Sequence, residues 1–188
     1  MAIPGGGFLE CRGLNAQLCA EIIAELEAGD WEAARVFRPD QPTQNVLDQT
    51  ARNCLRLGFS SDFSAAKELW DLIGTTIIPD VVEHWRIMPD SVSPIEFLKY
   101  PEGGFFSPHR DVGPGFQDRL LTIVGYLNAD FLGGELEIHH PVREVIVPRT
   151  GRVVAFPSDY VHASRPIARG TKRAFVVWCL KKPVQDWL

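Results

Sequence analysis

The spacing of apolar positions changes character near residue 90. Ahead of it the period is helical: Leu18, Ile22, Ile23 and Leu26 form one stripe, Asn15 sits as an N-cap and Gly29 supplies a stop, so a helix is expected over 16–28. A second helical region is expected from Ser64 through Leu69, Trp70 and Leu72, resuming after Pro79 through Val81, Val82 and Trp85. Between them, 38–43 reads as loop and 46–57 as extended chain around a turn. From Ser93 onward, short runs alternate with Gly and Pro turns. Strands are expected at 93–100, 119–128, 134–139, 143–147, 151–156 and 172–180, with Arg149, Thr150 and Gly151 as the hairpin turn into the run Val153, Val154 and Phe156. Many short strands separated by turns indicate a double-sheet barrel. The expected fold is mainly β with N-terminal helices, a double-stranded β-helix (jelly roll, cupin-like) with flanking α-helices. Such a barrel is open at one end, where inward side chains of several strands converge on a ligand-sized pocket.

Length and composition agree with one domain over 1–188: 188 residues with 45% hydrophobic content can bury one sizeable core. A net charge of -5 argues against a general nucleic-acid surface. The local cluster Arg165, Arg169, Lys172 and Arg173 reads as a solvated loop around one anchoring cation. Cys11, Cys19, Cys54 and Cys179 have no metal or disulfide spacing and read as free thiols. No basic leader with an apolar run opens the chain, and no stretch of about 18 apolar residues occurs. The expectation is a cytoplasmic protein, monomer or homodimer, with no membrane and no nucleic-acid partner.

The chemistry concentrates in His109, Asp111 and His162. Residues i and i+2 of an extended segment project from one face, so His109 and Asp111 can reach a single ion, with His162 arriving from another strand. Two imidazoles and one carboxylate leave adjacent coordination positions open, which suits non-heme Fe(II). Taken alone, the three residues also allow a plain alternative, in which Asp111 pairs with Arg110 or Arg119 and His162 is a satisfied strand-end histidine.

The surrounding residues carry a resemblance. Tyr100, Gly103, Phe106, His109 and Asp111, then Arg119, Thr122, Tyr126 and Asn128, then Gly133, Gly134 and Glu135, then His162, Pro166, Gly170, Lys172 and Trp178 form four ordered blocks over 97–180. Together they resemble the 2-oxoglutarate/Fe(II)-dependent dioxygenases, in the prolyl 4-hydroxylase-like branch. Phe106 stands where that branch usually has tyrosine, one hydroxyl fewer near the pocket. The resemblance implies a single dioxygenase domain, with 1–90 as mostly helical support and substrate-side segment and 91–182 as the jelly-roll core. It implies Fe(II) on His109, Asp111 and His162, with 2-oxoglutarate and O2 as co-substrates and ascorbate as a reductant. Lys172, ten residues after His162, is implied as the anchor for the far carboxylate of 2-oxoglutarate. Arg173 is its rival, and Tyr126 and Tyr100 are further cofactor-side candidates. The implied reaction is hydroxylation of an unactivated C–H in a peptide or small amino-acid-like substrate, with release of succinate and CO2.

The segment holding Arg52 and Arg56 resembles the strand beside the active-site mouth, where either could meet a substrate carboxylate; the plainer expectation is a surface arginine. Adjacent His139 and His140 face opposite sides of a strand and cannot easily share a metal. His84 reads as a packing or surface histidine, and Glu135 and Glu137 as the wet face of a half-buried strand. Two other classes fit a His/His/Asp set: a Zn-dependent hydrolase and a non-catalytic metal-binding jelly-roll sensor module.

Overall fold

A computed structural model of the chain describes residues 7–37, 45–60, 62–140 and 142–181. The expected loop at 38–43 and the first six residues lie outside them.

Two antiparallel sheets face each other. The larger runs in the order Leu9–Cys11, Val153–Pro157, Arg119–Tyr126, Lys172–Leu180, Glu96–Tyr100, Leu55–Gly58 and Glu32–Ala33, with Ser91–Val92 also on Lys172–Leu180. The smaller runs Arg143–Ile146, Leu136–His139, Val161–Ser164, Phe105–His109 and Arg52–Asn53. This is the expected jelly roll. Its central strands are nearly continuous in apolar residues because both faces of the larger sheet are covered. On Lys172–Leu180, Phe175, Val177 and Cys179 pack outward into a core shared with the helices, while Ala174, Val176 and Trp178 face the space between the sheets.

The covering layer is helical. Helix α1, Ala16–Leu26, begins where the Asn15 side chain accepts from the Leu18 N–H at 2.8 Å. Its Leu18, Cys19, Ile22 and Leu26 are buried, and it ends two residues before the expected 28. The second helical region does not pause before Pro79. Helix α2, Ser64–Leu72, passes through a π-helical turn, Ile73–Ile77, directly into α3, Ile78–Trp85. In that wide turn the Ile78 N–H donates to the Ile73 carbonyl, so the chain re-phases just ahead of the residue that has no N–H to give.

One turn joins different partners from those expected. Arg143–Ile146 lies in the smaller sheet and Val153–Pro157 in the larger, so Arg149, Thr150 and Gly151 form a crossover between sheets rather than a hairpin. The expected strand at 93–100 is shorter, Glu96–Tyr100. Phe105–His109, a strand absent from the expected set, carries the first histidine of interest.

Candidate metal and co-substrate site

Strand pairing brings the three separated residues together. His109 ends Phe105–His109, His162 lies on the neighbouring Val161–Ser164, and the two are register partners. Asp111 follows two residues past the strand end, its backbone N–H held by the Ser158 carbonyl at 2.9 Å. One ligand atom from each residue lies within 4.8 Å of the others. His109 Nε2 is 3.4 Å from Asp111 Oδ1, and His162 Nε2 is 3.6 Å from Asp111 Oδ2. The pairing of Asp111 with a surface arginine side chain is thereby replaced: Arg119 meets only its backbone carbonyl, at 3.3 Å.

Each ring is oriented by its own strand. His109 Nδ1 lies 2.9 Å from the Ser107 carbonyl and His162 Nδ1 3.0 Å from that of Tyr160. A carbonyl only accepts, so Nδ1 carries the proton and Nε2 offers its lone pair inward, the tautomer a metal requires. Asp111 is fixed from its other side. Its Oδ2 accepts from Thr122 Oγ1 at 2.7 Å and from Trp178 Nε1 at 3.0 Å. Thr122 spends its one proton there, so the contact at 2.9 Å with Ser158 Oγ has Ser158 as donor. Burial opposes ionisation of Asp111, but His162, His109 and the Trp178 N–H outweigh it and hold the carboxyl far below the usual range. Burial pushes the His162 imidazole down to about 4, against the pull of Asp111. The donor set at neutral pH is therefore one anion with a neutral buried imidazole.

Below this cluster the cavity, about 230 Å³, reaches Lys172 and Tyr126 between apolar walls that include Val124, Leu136, Ala174 and Val176. Lys172 is 3% exposed. Its Nζ donates to the Gly134 carbonyl at 2.9 Å and to Ser164 Oγ, and sits 4.3 Å from the centre of the Tyr100 ring. Burial pushes its ammonium down to about 7. The Tyr126 hydroxyl is buried with no hydrogen-bond partner among the described residues, and burial raises its pKa, keeping it a neutral donor. An orphaned phenol O–H and a buried ammonium lining one cavity fit a carboxylate end of a ligand. A His/His/Asp oxygen–nitrogen set likewise fits a divalent transition metal.

Strand alternation separates the two rival cations. Arg173 faces the other way and donates to Glu27 at the end of α1, Nε at 2.9 Å; it does not line the cavity. Tyr100 contributes its ring face as a platform under Lys172.

Several expectations at the periphery change. Glu137 is not on a wet face: it is 8% exposed and clamped by Arg143 at 2.5 Å and by Arg165. Hydrogen bonds from Arg143, against the cost of burial, lower its carboxyl to about 2. Arg52 is no surface arginine either, with a side chain 11% exposed on the cavity wall, while Arg56 is half-exposed at the rim. His84 is exposed and meets Trp85 edge-on, and His139 turns to Glu137 at 3.2 Å. Thr122 and Ser158 support Asp111 without belonging to the expected site residues. Thr122 does stand out as the lone aliphatic hydroxyl in an apolar strand; Ser158 has no such signal.

Residues 95–180 match the family model described as the 2OG-Fe(II) oxygenase superfamily. A PKHD-type hydroxylase of Paracoccus denitrificans is 28% identical over 151 residues, which is 74% of this chain and 66% of that protein's own length. The fold is shared with a prolyl-4-hydroxylase of Pseudomonas putida, with a TM-score of 0.77, 19% identity and 95% of both chains covered. It is also shared with a Trichoplax adhaerens prolyl hydroxylase in complex with a hypoxia inducible factor oxygen degradation domain peptide fragment, with a TM-score of 0.80 and 18% identity, covering 95% of this chain and 85% of that one.

Proposed function

From the match of residues 95–180 to the 2OG-Fe(II) oxygenase superfamily model and from the clustered ligand atoms, we propose that this chain is an Fe(II)- and 2-oxoglutarate-dependent hydroxylase whose metal ligands are His109, Asp111 and His162. Lys172 and Tyr126 hold the far carboxylate of 2-oxoglutarate, over the Tyr100 ring. The substrate is a peptide or a small amino-acid-like molecule, entering past Phe106, Arg119 and Trp178. The whole of 1–188 acts as one oxygenase domain, with the helical part as support. Four free, buried thiols support a reducing, cytoplasmic setting; no helix among the described residues is long and apolar enough to cross a membrane.

The observation that carries this reading is the shared cavity: three inward ligand atoms at one level, and a buried ammonium with an unpaired phenol at the next. The charges also close. A divalent ion with Asp111 leaves one positive charge, Lys172 adds another, and a dicarboxylate dianion cancels both. A hydrolase would leave Lys172 and Tyr126 without a task.

When bound, Fe(II), 2-oxoglutarate and O2 supply the oxidising chemistry, one oxygen atom entering succinate as CO2 leaves and the other entering the substrate C–H. The residues of this chain orient and exclude. The Ser107 and Tyr160 carbonyls keep both Nε2 lone pairs inward, and Thr122 with Trp178 occupies Oδ2, leaving Oδ1 of Asp111 as its free donor. Lys172 and Tyr126 give charge-assisted and neutral hydrogen bonds to the anion. Val124, Ala174 and Val176 keep water from the shaft between.

The test is an anaerobic titration of metal-free protein with Fe(II) and 2-oxoglutarate, following the visible charge-transfer absorption of a chelated complex. The band is expected in the wild type, absent in His162→Ala, and shifted to much higher 2-oxoglutarate in Lys172→Ala. A folded, iron-loaded wild type without the band would overturn the reading.

A further inference from the structure

The mouth of the cavity carries charge for which the metal and co-substrate have no use. Among the described residues, Arg35, Arg52, Arg56, Arg110, Arg119 and Lys172 line the cavity against the carboxylates of Glu96 and Asp111. Lys172 and Asp111 have tasks below, which leaves five guanidiniums and one carboxylate above. The chain as a whole has a formal net charge of -5, so positive charge is gathered at this opening. A cleft lined by one sign concentrates ligands of the other.

Arg52 is placed to use it. Its strand pairs with Phe105–His109, with Arg52 opposite Phe106. The guanidinium lies 4.7 Å from the centre of the Phe106 ring, and Phe106 stacks on His109 at 3.5 Å and 17°. One stack of flat groups thus runs from Arg52 to the metal cluster. Arg52 donates to Glu96 at 3.2 Å, to Cys54 Sγ at 3.2 Å and to the Arg35 carbonyl at 3.4 Å. Glu96 also serves Arg56 at 3.5 Å, whose second partner is Glu32 at 2.6 Å. Among the described residues no carboxylate pairs with Arg35, which donates to the Asn45 carbonyl at 3.3 Å. Among the described residues, three guanidiniums therefore share two carboxylates. The surplus sits at the cavity edge, where a fork of N–H groups donates bidentately to an oxyanion.

We propose that Arg52 and Arg35 form a subsite for a carboxylate of the substrate, so that the molecule hydroxylated is a carboxylic acid, held on the Phe106 side with its reacting carbon over His109, Asp111 and His162. A carboxylate suits the subsite better than a phosphate chain, because the guanidiniums already accommodate Glu96 and are confined to one cavity rather than spread along a surface. This inference rests on the oxygenase reading and narrows its substrate.

The test is calorimetric titration of the protein loaded with Fe(II) and saturating 2-oxoglutarate under argon, using matched pairs. These are N-acetyl-L-proline against N-acetyl-L-prolinamide, and a blocked pentapeptide with a central glutamate against its glutamine form. In at least one pair the acid is expected to bind roughly tenfold or more tightly than its neutral partner, and the pair that responds tells whether the carboxylate belongs to a small acid or a peptide. Arg52→Gln should erase the difference while the 2-oxoglutarate absorption band persists. Arg35→Gln, at an exposed position, should shrink it even if Arg52→Gln does not fold. No preference for the acid in either pair, or inorganic phosphate binding as tightly as the acids, would overturn the subsite. Loss of the absorption band in the wild type would instead overturn the oxygenase reading.

Discussion

Lys172 keeps a charge where water does not follow, and its titration should be visible in co-substrate binding. Burial lowers its pKa in the folded protein to about 7, from the 10.5 of an ordinary lysine. The cost of the buried ammonium is thus fully present below pH 7 in the ligand-free protein and fades as pH rises toward 10.5. A dicarboxylate needs the ammonium, so above about pH 7 binding must take up a proton. Affinity for 2-oxoglutarate should fall by up to about tenfold per pH unit there, measured by titration between pH 6 and 9; a flat profile would sink the assignment, and Lys172→Met should abolish the slope. Thr122 acts one step from the proposed metal site, through Asp111. Thr122→Val removes a hydrogen bond to Asp111 Oδ2 and takes the acceptor from Ser158. Affinity for Fe(II) or Mn(II) should fall about tenfold or more, while a metal titration unchanged from wild type would show that Trp178 alone orients the carboxylate.

The crossover between the sheets depends on one glycine. Gly151 has φ 79°, its carbonyl accepts from Leu14 N–H and its own N–H donates to the Tyr126 carbonyl, both at 2.8 Å. A Cβ there would lie 2.1 Å from the Leu14 carbonyl oxygen, backbone that cannot swing aside. Gly151→Ala should therefore destabilise by about 2 kcal/mol or more in urea unfolding, and a loss under about 0.5 kcal/mol would mean that the approach to α1 relaxes freely. The same element shows why local pattern misleads at junctions. Turn residues before an apolar run look like a hairpin whichever sheet that run joins. The helix over 64–85 gives the opposite case, where Pro79 reads as a break and the π turn at Ile73–Ile77 carries the chain through.

Across the molecule, the features legible in the chain are those with a local cause. The change from helical to alternating period foretold helices over a jelly roll, because each period presents one apolar face that must be covered. The His109 and Asp111 spacing made a shared ion plausible, and alternation made Lys172 and Arg173 face opposite ways. The remainder depends on pairings between distant strands. Ser158 reaching Thr122 across 36 residues, Arg52 stacking on Phe106, Glu137 buried between Arg143 and Arg165, and the convergence of five guanidiniums on one opening have no local signature. Chain order dictates which faces are apolar and which side chains could ligate, since steric period and residue chemistry act within a few residues. Folding alone selects which of those side chains meet, since burial and pairing energies depend on strand register and on neighbours far away in the chain.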